Sequence, residues 1–246
     1  MTFIIFIYGL LLGSFFNVVG LRIPLNQSIA TPGSSCPSCS HPLSAIELIP
    51  VISFLIQGGK CRSCKVRISP IYPVMELLTG GLFAAAFIEF GLTLEFAIVC
   101  TLTALFIIIT VSDITYMLIP DKVLLVFSGL FLLERFIEPL DPWWDSLVGA
   151  AVGFGLLLFI AITSKGAMGG GDIKLFAVLG FVLGTKIVLL SFFLATLIGT
   201  VAGGMGMITG SVQKGEAIPF GPFIAVGTLL AYFYHEEILQ WYFGFF

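Results

Sequence analysis

Apolar residues occur along this chain in long, nearly unbroken runs, without the strict alternation of strands or the polar face of a soluble helix. Runs close to the ~20 residues that cross a bilayer cover 3–21, 73–90, 94–112, 123–137 and 146–163. The stretch 173–209 is too long for one crossing and is interrupted at Gly184, Thr185 and Lys186, which predicts a short helix followed by a longer one. A last run covers 219–234. The pattern therefore predicts an all-α polytopic membrane protein with about eight transmembrane helices. The first run lacks a basic flank and a small-residue cleavage site, so it reads as a retained span.

Composition supports this reading: the chain is 58% hydrophobic and 10% charged, with mean hydropathy +1.11, against roughly 25% charged residues in soluble domains. The net charge of -3 hides an asymmetry that sets orientation. Arg22, Lys60, Arg62, Lys65, Arg67, Lys122, Lys165, Lys174 and Lys214 fall in or beside connections on one side, and only Arg135 and Lys186 on the other. The positive-inside rule then puts the loop after the first span in the cytoplasm and both termini outside, together with Glu134, Glu138, Asp141 and Asp145.

That first loop is the only connection long enough to be a small domain, and it carries four of the five cysteines. The expected division is a first transmembrane helix over 1–22, a cytoplasmic loop domain over 23–72 and a helical core over 73–246. Cys36-Pro-Ser-Cys39 and Cys61-Arg-Ser-Cys64 have the double-knuckle spacing of a tetrahedral zinc site, with Lys60, Arg62, Lys65 and Arg67 nearby to favour thiolates. Zinc here would be structural, since four thiolates leave no open position, and would replace the core that so short a loop cannot build. The competing reading is a pair of redox disulfides, which requires an oxidising compartment. Cys100, inside the third span, reads as packing.

Two acids stand where apolar runs stop. Asp113 ends the third span, and Asp172 follows Gly169, Gly170 and Gly171. A charge at a helix centre in lipid costs roughly 3 kcal/mol, so acids retained in such runs are candidates for chemistry. The spans between them go out and back, which returns both carboxylates to the cytoplasmic boundary, where two acids brought close would divide into one acid and one base. The glycines, Gly169 and Gly171 among them, remove side chains where an extended peptide would approach. Asp121, beside Lys122 at a helix start, reads as a supporting residue, and Lys174 as either tuning Asp172 or snorkelling. A competing reading makes Asp172 a helix N-cap, and a different class of function makes both acids the ion or proton sites of a transporter. Asn17 reads as a packing residue within the first span. His41, His235, Ser14 and Ser164 form no nucleophile and base set, so serine hydrolysis has no support.

Taken together, these residues resemble the type IV prepilin peptidases, bifunctional leader peptidases and N-methyltransferases. The resemblance runs through Gly13-Ser-Phe-Phe-Asn-Val-Val19, Arg22-Ile-Pro24, both CxxC pairs and Tyr72-Pro-Val-Met-Glu-Leu-Leu-Thr-Gly80. It continues through Asp113 with Ile119-Pro-Asp121 and Gly169-Gly-Gly-Asp172-Ile-Lys174. It implies an intramembrane aspartic protease of the bacterial inner membrane, with catalytic Asp113 and Asp172 at the cytoplasmic face. Its partners would be prepilins or pilin-like proteins and membrane lipid, with no direct nucleic-acid binding. Cleavage would follow the Gly that ends a short basic leader, and the new N-terminal amine would be methylated from S-adenosylmethionine. Gly59 and Lys60, before the second CxxC, and Glu47 correspond to the methyltransferase-linked residues. The chain departs from the family at Leu48, where Glu-Asn-Ile-Pro is usual. Glu47 and Glu76 are candidates to meet a basic leader.

Overall fold

The computed structural model describes residues 1–164, 168–213 and 217–244, so Lys165 and Lys214, both used to orient the chain, lie outside the described residues. The described residues form helices and two isolated β-bridges, with no strand. In chain order the helices are α1 (Thr2–Arg22), a 3-10 turn (Ala45–Leu48), α2 (Ile52–Ile56), α3 (Ile71–Phe90), α4 (Leu94–Tyr116), α5 (Asp121–Ile137), α6 (Asp145–Thr163), α7 (Gly170–Ile208) and α8 (Gly221–Phe243). Each predicted run coincides with one of these. Among the described residues five helices, α1, α3, α4, α6 and α7, are long and apolar enough to cross a membrane. Of the rest, α5 has 17 residues and four charges, and α8 turns polar at His235, Glu236 and Glu237 after a backbone break at Tyr234.

The chain divides into two compact units, Met1–Thr115 and Tyr116–Phe246. In the first, α1 packs on α3 through small residues. A Cβ on Gly9 would stand 2.7 Å from Gly80 Cα, and one on Gly13 would stand 2.9 Å from Glu76 Cα. Two glycines four apart let the backbones touch, which is how helices associate where lipid removes the hydrophobic drive. Asn17 reinforces the contact by donating its side-chain amide to the Tyr72 carbonyl at 3.2 Å. Helix α4 is buried on nearly every side from Leu102 to Asp113.

In the second unit α7 packs on α6 and α8. Gly149 and Gly180 approach so closely that a Cβ on either would meet the other's backbone. Gly184, with φ 79°, breaks α7 at the predicted point, and both raw ends are satisfied. Arg135 Nε donates to the Val182 carbonyl at 2.8 Å on the near side, and Asp145 accepts from Thr185 on the far side. An arginine on the last carbonyls and an aspartate on the first amide complement the opposed helix ends.

Candidate active site

The four loop cysteines meet. Their sulfurs all lie within 4.8 Å of one another, with Cys36 to Cys64 at 3.8 Å and Cys39 to Cys61 at 4.0 Å. Zn–S bonds of about 2.3 Å in a tetrahedron put the sulfurs about 3.8 Å apart, so the donor set fits zinc and no disulfide is present. The two knuckles share one backbone. The Cys36 and Cys61 amides donate to His41 and Val66, and the Ser40 and Lys65 amides donate back to Cys36 and Cys61, with Ser40 and Lys65 both at positive φ. Amides of Cys39 and Ser38 draw the Cys36 thiol down to about 6, and those of Cys64 and Ser63 lower Cys61. The His41 amide pulls on Cys39, but burial and the adjacent sulfurs prevail and push it up to about 12. Four crowded thiols cannot all ionise unaided, and a dication is what would make them do so.

The approach to this centre is organised by Arg22, whose guanidinium donates to the carbonyls of Ser28, Pro32 and Gly33 at 2.7–3.2 Å. Glu47 closes the 3-10 turn. Its Oε2 accepts the Ser44 amide at 3.0 Å and the Ser44 hydroxyl at 2.8 Å, and lies 3.5 Å from His41 Nε2. The Ser44 amide, then its hydroxyl, hold this carboxyl below its usual value against the effect of burial. Glu47 Oε1 is buried with no hydrogen-bond partner among the described residues. Gly59 has φ 67° and sits against the Phe54 ring, and Lys60 is exposed on the bridge to Arg67.

Asp113 belongs to the first unit. Helix α4 runs on to Tyr116, so this acid lies within the helix and not beyond its end, and it is buried. Asp172 belongs to the second unit. Gly169 is the N-cap of α7, which makes Asp172 the third helical residue and not the cap, with its carboxylate folded back so that a Cβ on Gly169 would stand 2.9 Å from Oδ2. A first-turn carboxylate is favoured by the helix dipole. Gly171 rests against Ile119, 2.8 Å from where its own Cβ would be, and Lys174 donates to Asp121 Oδ2 at 2.7 Å, joining the starts of α5 and α7.

Glu76, a candidate to meet a basic leader, is not exposed. It is buried in α3, where Oε2 accepts the Val51 amide at 2.7 Å and the Ser14 hydroxyl bonds the carboxylate. Sequence reading missed the Val51 contact. Its available signal was an acid in an apolar span facing, across α1, a serine between Gly13 and Asn17.

Residues 7–90 match the bacterial peptidase A24 N-terminal domain, and residues 100–204 match the type IV leader peptidase family. The chain is 50% identical over 242 residues to the prepilin leader peptidase/N-methyltransferase of Bacillus subtilis, covering 98% of each. It is 32% identical to the protein of that name from Pseudomonas aeruginosa, covering 96% of this chain and 91% of that one. With that from Aeromonas salmonicida it shares 31%, covering 97% and 92%. No solved structure matches it significantly. With both family regions present in order and relatives aligned over nearly their whole length, the chain belongs to the type IV leader peptidase family.

Proposed function

We propose that this protein is a membrane-embedded aspartic peptidase that removes the basic leader of prepilins or pilin-like proteins after Gly, at the cytoplasmic boundary of the bacterial inner membrane. The observation that carries the reading is the near full-length likeness to relatives named for this activity, in a chain whose apolar helices hold a buried Asp113 and a helix-starting Asp172. Peptide hydrolysis needs an ionised carboxylate to take a proton from water and a protonated carboxyl to give one to the carbonyl oxygen. Environment decides which acid plays which part, and the two here differ: one lies inside a buried helix, the other on the positive end of a helix. The cation asymmetry supports a cytoplasmic site, because a basic leader stays on that side. Gly169, Gly171, Lys174 and Asp121 set the entry to α7 and support Asp172.

The same reading gives the loop over 23–72 to the second activity in the relatives' name, N-methylation, with 1–22 as the first helix and 73–246 as the peptidase core. S-adenosylmethionine would supply the methyl group. Glu47, Gly59 and Lys60 are the residues assigned to that step, and the unpartnered Glu47 Oε1 offers a buried acceptor suited to an amine. Zinc in the four-cysteine centre would hold the loop in shape.

Incubation of the purified protein with a prepilin tests this directly. The expected product is a shortened pilin whose mass shows a cut after Gly and one added methyl group. Asp113→Asn and Asp172→Asn each lose at least about a hundredfold in rate, the lower bound for positioned acid–base groups. Full cleavage by either variant overturns the assignment.

A further inference from the structure

The loop domain carries an apolar face that no described residue covers. It starts at a strained point. Val51, a β-branched residue, sits at φ 60° and ψ -51°, and the Ile52 amide reaches the Pro50 carbonyl at 2.5 Å, a γ-turn of the rarely adopted positive-φ kind. What fixes it is Glu76, which accepts the Val51 amide from within α3, a helix long and apolar enough to cross a membrane. Glu76 lies little more than one turn inside the start of that helix, at Ile71. The loop is thus pinned near the start of a helix long and apolar enough to cross a bilayer.

From that pin the chain forms α2, and Ile52, Leu55 and Ile56, spaced three and four apart, present one face that is 53%, 69% and 78% exposed. Phe54 points elsewhere, over the Gly59 turn. Ile46, in the 3-10 turn before α2, is 70% exposed. The exposed charge of this segment has one sign, because the two acids that flank it, Glu47 and Glu76, are buried. Leu48 to Met75 contains no acidic residue, while Lys60, Arg62, Lys65 and Arg67 are all exposed.

We propose that α2 and the turn before it lie in the boundary between headgroups and acyl chains of the adjoining leaflet, with the four cations against anionic lipid phosphates. Exposed apolar residues followed in the chain by an exposed basic segment are the composition of an interfacial element, and the pin ties this one to a helix fit to cross a bilayer. Charge complementarity commits the occupant to an anionic phospholipid surface. The zinc knuckles would then stand on the membrane instead of hanging from two tethers in water.

The test uses the full chain with Leu55→Trp, reconstituted in nanodiscs of phosphatidylcholine with or without phosphatidylglycerol, and takes the emission in excess of the parent protein, which supplies the background of Trp143, Trp144 and Trp241. The expected excess is blue-shifted, quenched at least about twofold by lipid brominated near the headgroup end of its chains, and shielded from aqueous iodide. Adding Arg62→Gln and Lys65→Gln should weaken the bromolipid quenching in discs containing phosphatidylglycerol and leave it unchanged in phosphatidylcholine alone. Ile56→Trp repeats the reading at a second position should the first disturb the turn. Excess emission quenched by iodide and untouched by bromolipid overturns the proposal. So does shielding that vanishes in discs holding one chain, because a second copy would then be the cover.

Discussion

Asp145 caps the second arm of α7, beyond the break at Gly184, at Thr185: Oδ1 accepts the threonine hydroxyl at 2.6 Å and Oδ2 the amide at 3.1 Å. The first amides of a helix have no partner within it, and in an apolar setting an unsatisfied one is costly. Asp145→Ala should therefore lower stability by about 1–2 kcal/mol, the scale of a lost N-cap, and Asp145→Asn, which keeps one acceptor, should fall between. Unfolding of the detergent-solubilised protein measures both, and an unchanged midpoint in Asp145→Ala would show the cap to be idle.

Gly171 and Ile119 set the entry to the helix that carries Asp172. A methyl group at 171 would stand 2.8 Å from Ile119 Cβ, closer than carbon atoms pack, and Ile119 is buried. Gly171→Ala should cost about 1–3 kcal/mol through overpacking. Ile119→Gly removes that Cβ, so the double variant should be more stable than the sum of the two single effects predicts. Additive effects in thermal unfolding would mean the crowding is relieved elsewhere.

The spans were legible because lipid leaves a blunt signature: long apolar runs have one satisfactory backbone, and the boundaries agree to within a few residues at α1, α3, α5 and α6. The break at Gly184 and the four-cysteine cluster were legible for equally local reasons, a glycine beside a polar pair and a spacing that turns two sulfurs inward. What could not be read were contacts between segments distant in sequence. Glu76 was open to reading as a residue that meets a leader because one of its partners is a main-chain amide 25 positions away, and an amide leaves no mark in the residue string. Arg135 was read only as a cation on the far side, whereas it is buried on the carbonyl of Val182. Asp172 was open to reading as a cap because helix starts shift by a residue or two in glycine runs, and Gly169 took that place.

One zinc per chain is expected from the cysteine cluster. Elemental analysis of protein purified without chelator should find it, and Cys36→Ser should lower it to about a tenth or less, because a structural site needs all four donors. Since metal binding and folding of such a loop are one equilibrium, chelation should also speed amide exchange across 34–68 while leaving α6 and α7 protected. Undamaged protein free of zinc, with the same loop protected from exchange, would assign the fold of the knuckles to their backbone bonds alone.

Glu47 gives the loop a dependence on acid. Its carboxyl is held below the usual 4.5 by the Ser44 amide and hydroxyl, so the folded turn binds its proton less readily than the unfolded chain does. Where the unfolded state binds more protons, stability rises with pH. The contribution of Glu47 is accordingly complete above the unfolded value and is lost as pH falls through the lower folded one. Amide exchange at 44–48, corrected for its intrinsic pH dependence, should therefore be constant from about pH 7 to pH 5 and accelerate below about 4. Glu47→Gln keeps the shape and removes the titration. Its turn should exchange faster than the parent's at neutral pH and show no added loss in acid. A parent turn equally protected on both sides of that window would mean that the Ser44 bonds hold the neutral acid as well as the carboxylate.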